Sequence, residues 1–135
     1  MKNRKPIHDN WETPKELYNE LNKEFNFDCD PCPLNAKFDG LKNTEIWGSS
    51  NFINPPYSRK LKELFIIKAY NESLKGNLCV LLLPVSTSTK IFHEYIYNKA
   101  EIRFIKGRIK FVGSIKNQSA APFPSMIVIF KNKNE

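Results

Sequence analysis

Leu78-Cys79-Val80-Leu81-Leu82-Leu83-Pro84 is the stretch on which the fold turns. Six apolar residues follow one another without alternation, so neither side of the segment has a polar face to give to water. Such a run reads as a strand buried on both faces, the pattern of a central strand in a covered sheet. Gly76-Asn77 turns the chain into it and Pro84 stops it. Covering both faces calls for helices on either side, which predicts an α/β fold.

The neighbouring segments supply the rest of that architecture. Thr13-Pro14-Lys15-Glu16 reads as a helix opening: a threonine cap, a proline in the first turn and a glutamate completing a capping box. Leu17, Leu21 and Phe25 then repeat at spacing four, one face of an amphipathic helix. Phe25 to Asp30 reads as a short strand with Phe27 and Cys29 on one side, stopped by Pro31 and Pro33. Residues 34–50 are polar and irregular, with Gly40 and Gly48 as turn signals. Phe52-Ile53 forms a short apolar strand ending at a double proline. A helix over Ser58 to Leu74 is predicted to turn Leu61, Leu64 and Phe65 inward. Ser86 to Thr89 can cap a third helix carrying Ile91, Phe92, Tyr95 and Ile96. Ile102–Ile105 and Arg108–Val112 flank Lys106-Gly107 as a hairpin or bent strand pair, and Ser125 to Phe130 is a last strand.

Size and composition bound the function. The chain has 135 residues, 41% of them hydrophobic and 26% charged, which fits one globular domain without disulfides or metal. No apolar run approaches a membrane span, and the basic start is followed by no apolar stretch, so a cytoplasmic protein is expected. The net charge of +7 suits a polyanionic partner but is also common in merely well-solvated proteins. Cys29 and Cys32 form a C-x2-C pair, half of a zinc site or a redox pair. Four ligands would be needed, and only Cys79, His8 and His93 remain, none paired. Reduced cysteines in and beside a strand are expected, with no metal.

The chemistry concentrates in Asn51-Phe52-Ile53-Asn54-Pro55-Pro56-Tyr57. Ligands of open α/β sheets bind at the carboxyl ends of strands, and here a strand runs straight into two prolines. These stiffen the loop and remove two N–H donors, so it presents carbonyls. An exocyclic amino group is a poor nucleophile because its lone pair is delocalised into the ring. The Asn54 side-chain carbonyl and the Pro55 backbone carbonyl can hold its two hydrogens, localise that lone pair and stabilise developing positive charge. Tyr57 offers a face for a base drawn out of its helix. The plain alternative is a proline-rich turn in which Asn54 caps and Tyr57 packs.

In order along the chain stand Trp11-Glu12-Thr13-Pro14, Phe27-Asp28-Cys29-Asp30-Pro31-Cys32, Asn35-Ala36-Lys37, Asp39-Gly40-Leu41 and Trp47. Asn54-Pro55-Pro56-Tyr57-Ser58, Leu83-Pro84, Gly107-Arg108-Ile109-Lys110-Phe111 and Phe123-Pro124-Ser125-Met126 follow. This ordered set resembles the phage-type DNA N-6-adenine methyltransferase (Dam-like) family over most of the chain. The resemblance implies a compact, abbreviated Rossmann-like methyltransferase sheet in a single domain, residues 1–135. It also implies S-adenosylmethionine as methyl donor, adenine in DNA as acceptor, and a phage or prophage origin in a bacterial cell. Asn54, Pro55, Pro56 and Tyr57 would be catalytic. Thr13, Pro14, Asp30, Pro31, Asp39 and Asn54 would contact the cofactor, with Asp30 near the methionine amino group and Asp39 near the adenine. Thr13 equally reads as a helix cap, and Asp39 as a solvated loop residue.

Two features depart from the family pattern. The glycine-rich turn expected after the first strand is replaced by Pro31-Cys32-Pro33, and Asp30 and Asn54 are too close in sequence for two strand–helix units. A ribose-binding carboxylate therefore has no clear counterpart. There is also no separate target-recognition domain. Lys106, Arg108, Lys110 and Lys116, with Phe111 between them, form the candidate DNA surface, or equally the basic face of an ordinary hairpin. A homodimer would enlarge the surface offered to a duplex, but no residue pattern encodes one. Two other classes stay open: a methyltransferase acting on cytosine N-4, RNA or protein glutamine, and a non-catalytic nucleic-acid-binding relative.

Overall fold

The computed structural model describes residues 12–32, 40–41, 46–111 and 121–131. The predicted central strand is β2, Leu78–Pro84. On one side it pairs in parallel with β1, Ser50–Ile53, in the register Ile53↔Leu81. On the other it pairs antiparallel with β4, Ser125–Phe130, in the register Leu82↔Ile127. β3, Glu101–Phe104, closes the far edge against β4, giving the order β1-β2-β4-β3 in a mixed α/β fold.

Side chains along these strands alternate between two cores, which explains why their sequences do not alternate. Ile53, Cys79, Leu81, Leu83, Met126, Val128 and Phe130 pack on one face. Phe52, Val80, Leu82, Ile127 and Ile129 pack on the other. When both faces are dry, every position must be apolar. The first face is covered by α2, Arg59–Leu74, and by a π-helical turn at Phe92–Ile96. The second is covered by α1, Lys15–Phe25, and by Ile109, Phe111 and Ala121. The Thr89 side chain accepts the Phe92 N–H at 3.4 Å, as the predicted cap requires.

Four expectations need correction. The capping box of α1 does not form. Pro14 stands at the cap position without a side-chain cap bond, and the Thr13 hydroxyl is engaged with Asn54 instead. The strand expected near Phe27 shortens to one parallel bridge, Cys29↔Asn51, because Asn26 leaves α1 in the left-handed region and Pro31 ends the extension four residues after Phe27. In α2 the buried residues are Phe65, Ile66, Ala69, Glu72 and Ser73, whereas Leu61 and Leu64 are 38% and 41% exposed. Finally, β3 pairs with β4 and not with Arg108–Phe111, whose described backbone bond runs from Ala121 N–H to the Ile109 carbonyl at 2.8 Å. Val112 lies outside the described residues.

Candidate active site

The Cys29 bridge and β1 are parallel neighbours, so both chains leave the sheet at the same end. Asp30-Pro31 follows the first and Asn54-Pro55-Pro56-Tyr57 the second, in the position where α/β sheets collect ligands. The bridge is held by Asp28 N–H to the Ser50 carbonyl at 2.8 Å and Phe52 N–H to the Cys29 carbonyl at 3.0 Å. Asp28 reinforces it, accepting the Ser49 hydroxyl at 2.8 Å and the Ser50 N–H at 3.1 Å. These hydrogen bonds hold its carboxyl below the usual range.

Asn54 is half-buried, and its amide nitrogen donates to the Thr13 hydroxyl at 2.9 Å. That bond ties the loop to the start of α1 and turns the carbonyl Oδ1 to the opposite side of the amide. Pro55 is buried behind it. Tyr57 is fixed at three points. Its hydroxyl donates to the Leu82 carbonyl at 3.2 Å, and its ring meets Phe111 and Phe123 edge to face at 6.0 and 5.5 Å. Burial pushes its phenol far above the ordinary tyrosine value, so the hydroxyl stays protonated.

Asp30 stands beside this loop as an acceptor. Burial raises its carboxyl above the usual range, opposed by a hydrogen bond from the Cys32 N–H at 2.9 Å. Its negative charge also contributes to the raised phenol of Tyr18. Pro31 is buried under Gly40, which the sequence presents as a turn signal and as part of Asp39-Gly40-Leu41. A Cβ on Gly40 would collide with the Pro31 carbonyl oxygen, and the Gly40 carbonyl accepts the buried Trp47 indole N–H at 2.9 Å. Gly48 is equally constrained, because a Cβ there would come within 2.9 Å of Cys29 Cβ. Asn51, fully buried, clamps this turn through the Gly48 N–H and carbonyl, both at 2.8 Å, and the Leu78 carbonyl at 3.0 Å. Gly40, Trp47, Gly48 and Asn51 thus shape the site without bearing its chemistry. Only their distance partners were missing from the sequence.

Thr13, Pro14, Asp30, Pro31 and Asn54 are therefore placed around one end of the sheet, while Asp39 lies outside the described residues. Lys106, Arg108 and Lys110 are all exposed, with Lys116 outside the described residues. Phe111 corrects the expectation of a surface ring: at 2% exposure it is core, packed on Tyr57 and Phe123. The three cysteines are free thiols, and burial raises Cys29 and Cys79 above the usual thiol range. Ser125, wholly buried at the head of β4, has a hydroxyl without a hydrogen-bond partner among the described residues.

Fold and site together define a mixed α/β protein whose polar loops gather at the carboxyl ends of two parallel neighbours. Residues 1–135 match the family model described as DNA N-6-adenine-methyltransferase (Dam), and the chain belongs to that family. The DNA N-6-adenine-methyltransferase of Haemophilus phage HP1 is 32% identical over 93% of this chain and 80% of its own length. The protein of the same name from Escherichia phage T1 is 31% identical over 74% of this chain, which covers 46% of that relative. No solved structure matches. No helix among the described residues is long and apolar enough to cross a membrane.

Proposed function

We propose that the protein transfers a methyl group from S-adenosylmethionine to N-6 of adenine in DNA, with residues 1–135 acting as one abbreviated Rossmann-like methyltransferase domain. The observation that carries the reading is the 2.9 Å bond from the Asn54 amide nitrogen to Thr13 at the carboxyl end of β1. It orients the amide so that its oxygen serves as the acceptor, the polarity that an incoming amino group needs. Family membership supplies the substrate class.

The residues beside the loop fit the donor's amino-acid end. Partial burial of its carboxyl raises Asp30 although the residue as a whole is exposed, and no cation of the described residues is among the causes. A ligand ammonium would satisfy it. Thr13 and Pro14 border the same end through the Asn54 bond. S-adenosylmethionine, when bound, supplies an electrophilic methyl group. The protein's own part is to hold the adenine. Asn54 Oδ1 and the Pro55 carbonyl accept the two amino hydrogens and raise the lone-pair density on nitrogen. They then stabilise the positive charge that develops there. No base is needed beforehand, since the extra proton can leave to water after transfer. Tyr57, braced by Phe111 and Phe123, presents the remaining ring surface to the flipped base. Rigidity of the double proline keeps these acceptors in line with the attack.

Radiolabelled donor incubated with DNA, followed by nucleoside analysis, should give labelled N-6-methyl-2′-deoxyadenosine. Asn54→Ala should lower methyl transfer by roughly 100-fold or more, the scale for deleting one preorganised electrostatic contact. Calorimetric affinity for the donor should persist. Undiminished transfer by the variant would remove Asn54 from the mechanism, and label on another base would move the reading to another amino group.

A further inference from the structure

A cavity of about 450 Å³ opens at the carboxyl end of β2, on the sheet face covered by α2. Its lining includes none of Asn54–Tyr57, yet it begins directly after that loop, at Arg59 in the first turn of α2. Apolar walls come from Ile66, Leu83 and Met126. Around them stand Arg59, Lys62 and Lys90, the hydroxyls of Ser86 and Ser88, and one carboxylate, Glu63. The carboxylate is already committed to Arg59 at 3.3 Å, and Lys90 reaches Glu94 at 3.9 Å.

Lys62 is different. It is half-buried and makes no ion pair or side-chain hydrogen bond among the described residues. Burial holds its ammonium below the ordinary lysine value, with Glu63 opposing and Arg59 adding to the shift. A half-dry cation whose one nearby carboxylate, Glu63, is already paired with Arg59, among hydroxyls in a cavity of ligand size, is the chemistry of an anion site. The hydroxyls suit the oxygens of a phosphate, which accept several hydrogen bonds at once. The amino-terminal end of a 16-residue helix adds its own preference for negative charge.

We infer that this cavity seats a backbone phosphate of the substrate DNA strand next to the methylated adenine, with Lys62 as its principal counter-charge. The inference rests on the DNA-methylating reading above and adds a contact separate from the exposed 106–110 segment. Geometry favours the substrate strand over a free anion. The cavity opens at the carboxyl end of β2, the parallel neighbour of the strand that leads into Asn54, so a DNA backbone crossing the carboxyl ends of these two strands can reach both.

The test measures DNA affinity by fluorescence anisotropy across a salt series, using the full chain and a labelled duplex. Lys62→Gln should weaken binding by roughly 3- to 10-fold and flatten the slope of log K against log salt by about one. Lys62→Arg should keep both near the wild-type values. One neutral methylphosphonate, walked along the strand, should at one position beside the target adenine weaken the wild type equally. It should not weaken Lys62→Gln further. Unchanged affinity and slope in Lys62→Gln, while the wild type still methylates DNA, would overturn the inference and leave the enzyme reading intact. A lost slope with no coupled methylphosphonate position would overturn it too, since the lysine would then act only as diffuse charge. A wild type that binds DNA with a Lys62-dependent, position-coupled slope but methylates no adenine would uphold the site and defeat the enzyme reading. A wild type that binds no DNA would defeat both.

Discussion

Asn54 and Thr13 are joined by one hydrogen bond of 2.9 Å, which fixes the orientation of the amide on which the proposed mechanism depends. Asp30 shows the opposite economy, a carboxylate held where its charge is disfavoured. The sign of that effect makes a prediction. A carboxyl raised in the folded state above its ordinary value of 3.8 is destabilising at neutral pH, and the penalty disappears as the group protonates in acid. Asp30→Asn should therefore raise the thermal midpoint at pH 7 relative to wild type, with the gap closing as the pH falls through the carboxylate range. The same change should sharply weaken donor binding. A variant both less stable at pH 7 and unaltered in donor affinity would remove Asp30 from the cofactor site. A residue whose loss stabilises the fold while harming function is what a preformed binding group looks like.

At the level of elements, sequence patterns revealed what was locally encoded. β2 and β4 were legible because burial on both faces demands unbroken apolar runs, and the candidate loop Asn54–Tyr57 stood out because its four residues are consecutive. α2 was found, but its inner face was misjudged. Leu61, Leu64, Phe65, Ile66, Ala69 and Tyr70 surround the helix, so spacing selects no single stripe. β3 was found without its partner, because pairing with β4 some twenty residues later leaves no local mark. The Thr13–Asn54 bond spans 41 residues and was hidden for the same reason. So was the approach of Gly40 to Pro31. The end of α2 supplies a prediction of its own. Burial acts first to raise the Glu72 carboxyl, but Lys68 at 2.7 Å and Asn77 at 2.8 Å outweigh it and hold it low. These bonds fasten the helix to the turn that feeds β2. Glu72→Gln should cost about 1–3 kcal/mol at neutral pH, the scale of hydrogen bonds to a charged group. Chemical denaturation should show that loss shrinking below the ordinary glutamate value of 4.5. An equal loss at pH 7 and at pH 3 would assign Glu72 a packing role only.

For the whole molecule the carboxylates act largely in concert. Hydrogen bonds from Arg103 lower Glu24 and Glu101, those from Ser49 and Ser50 lower Asp28, and Glu72 is lowered as above. Arg103 grips Glu24 through two bonds of 2.7 Å while also holding Glu101, which ties α1 to β3, and Lys131 adds a contact to Glu101 at 3.1 Å. A depressed folded-state value contributes stability above the unfolded value, and that stability is lost as the pH falls through the folded one. Among the described residues, Asp30 alone of the shifted carboxylates runs the other way. Acid also strips negative charge from a chain of 21 Lys and Arg against 14 Asp and Glu, so self-repulsion grows as the native pairs fail. The thermal midpoint should thus stay nearly level from pH 7 to about 5 and fall steeply below it. Because the Arg103 network is exposed, added salt should screen both its pairs and the net repulsion, making the acid drop shallower. A midpoint that rises on acidification, or an acid drop that steepens with salt, would mean that the ion pairs joining α1 to the β3–β4 edge do not help hold the sheet that carries the site.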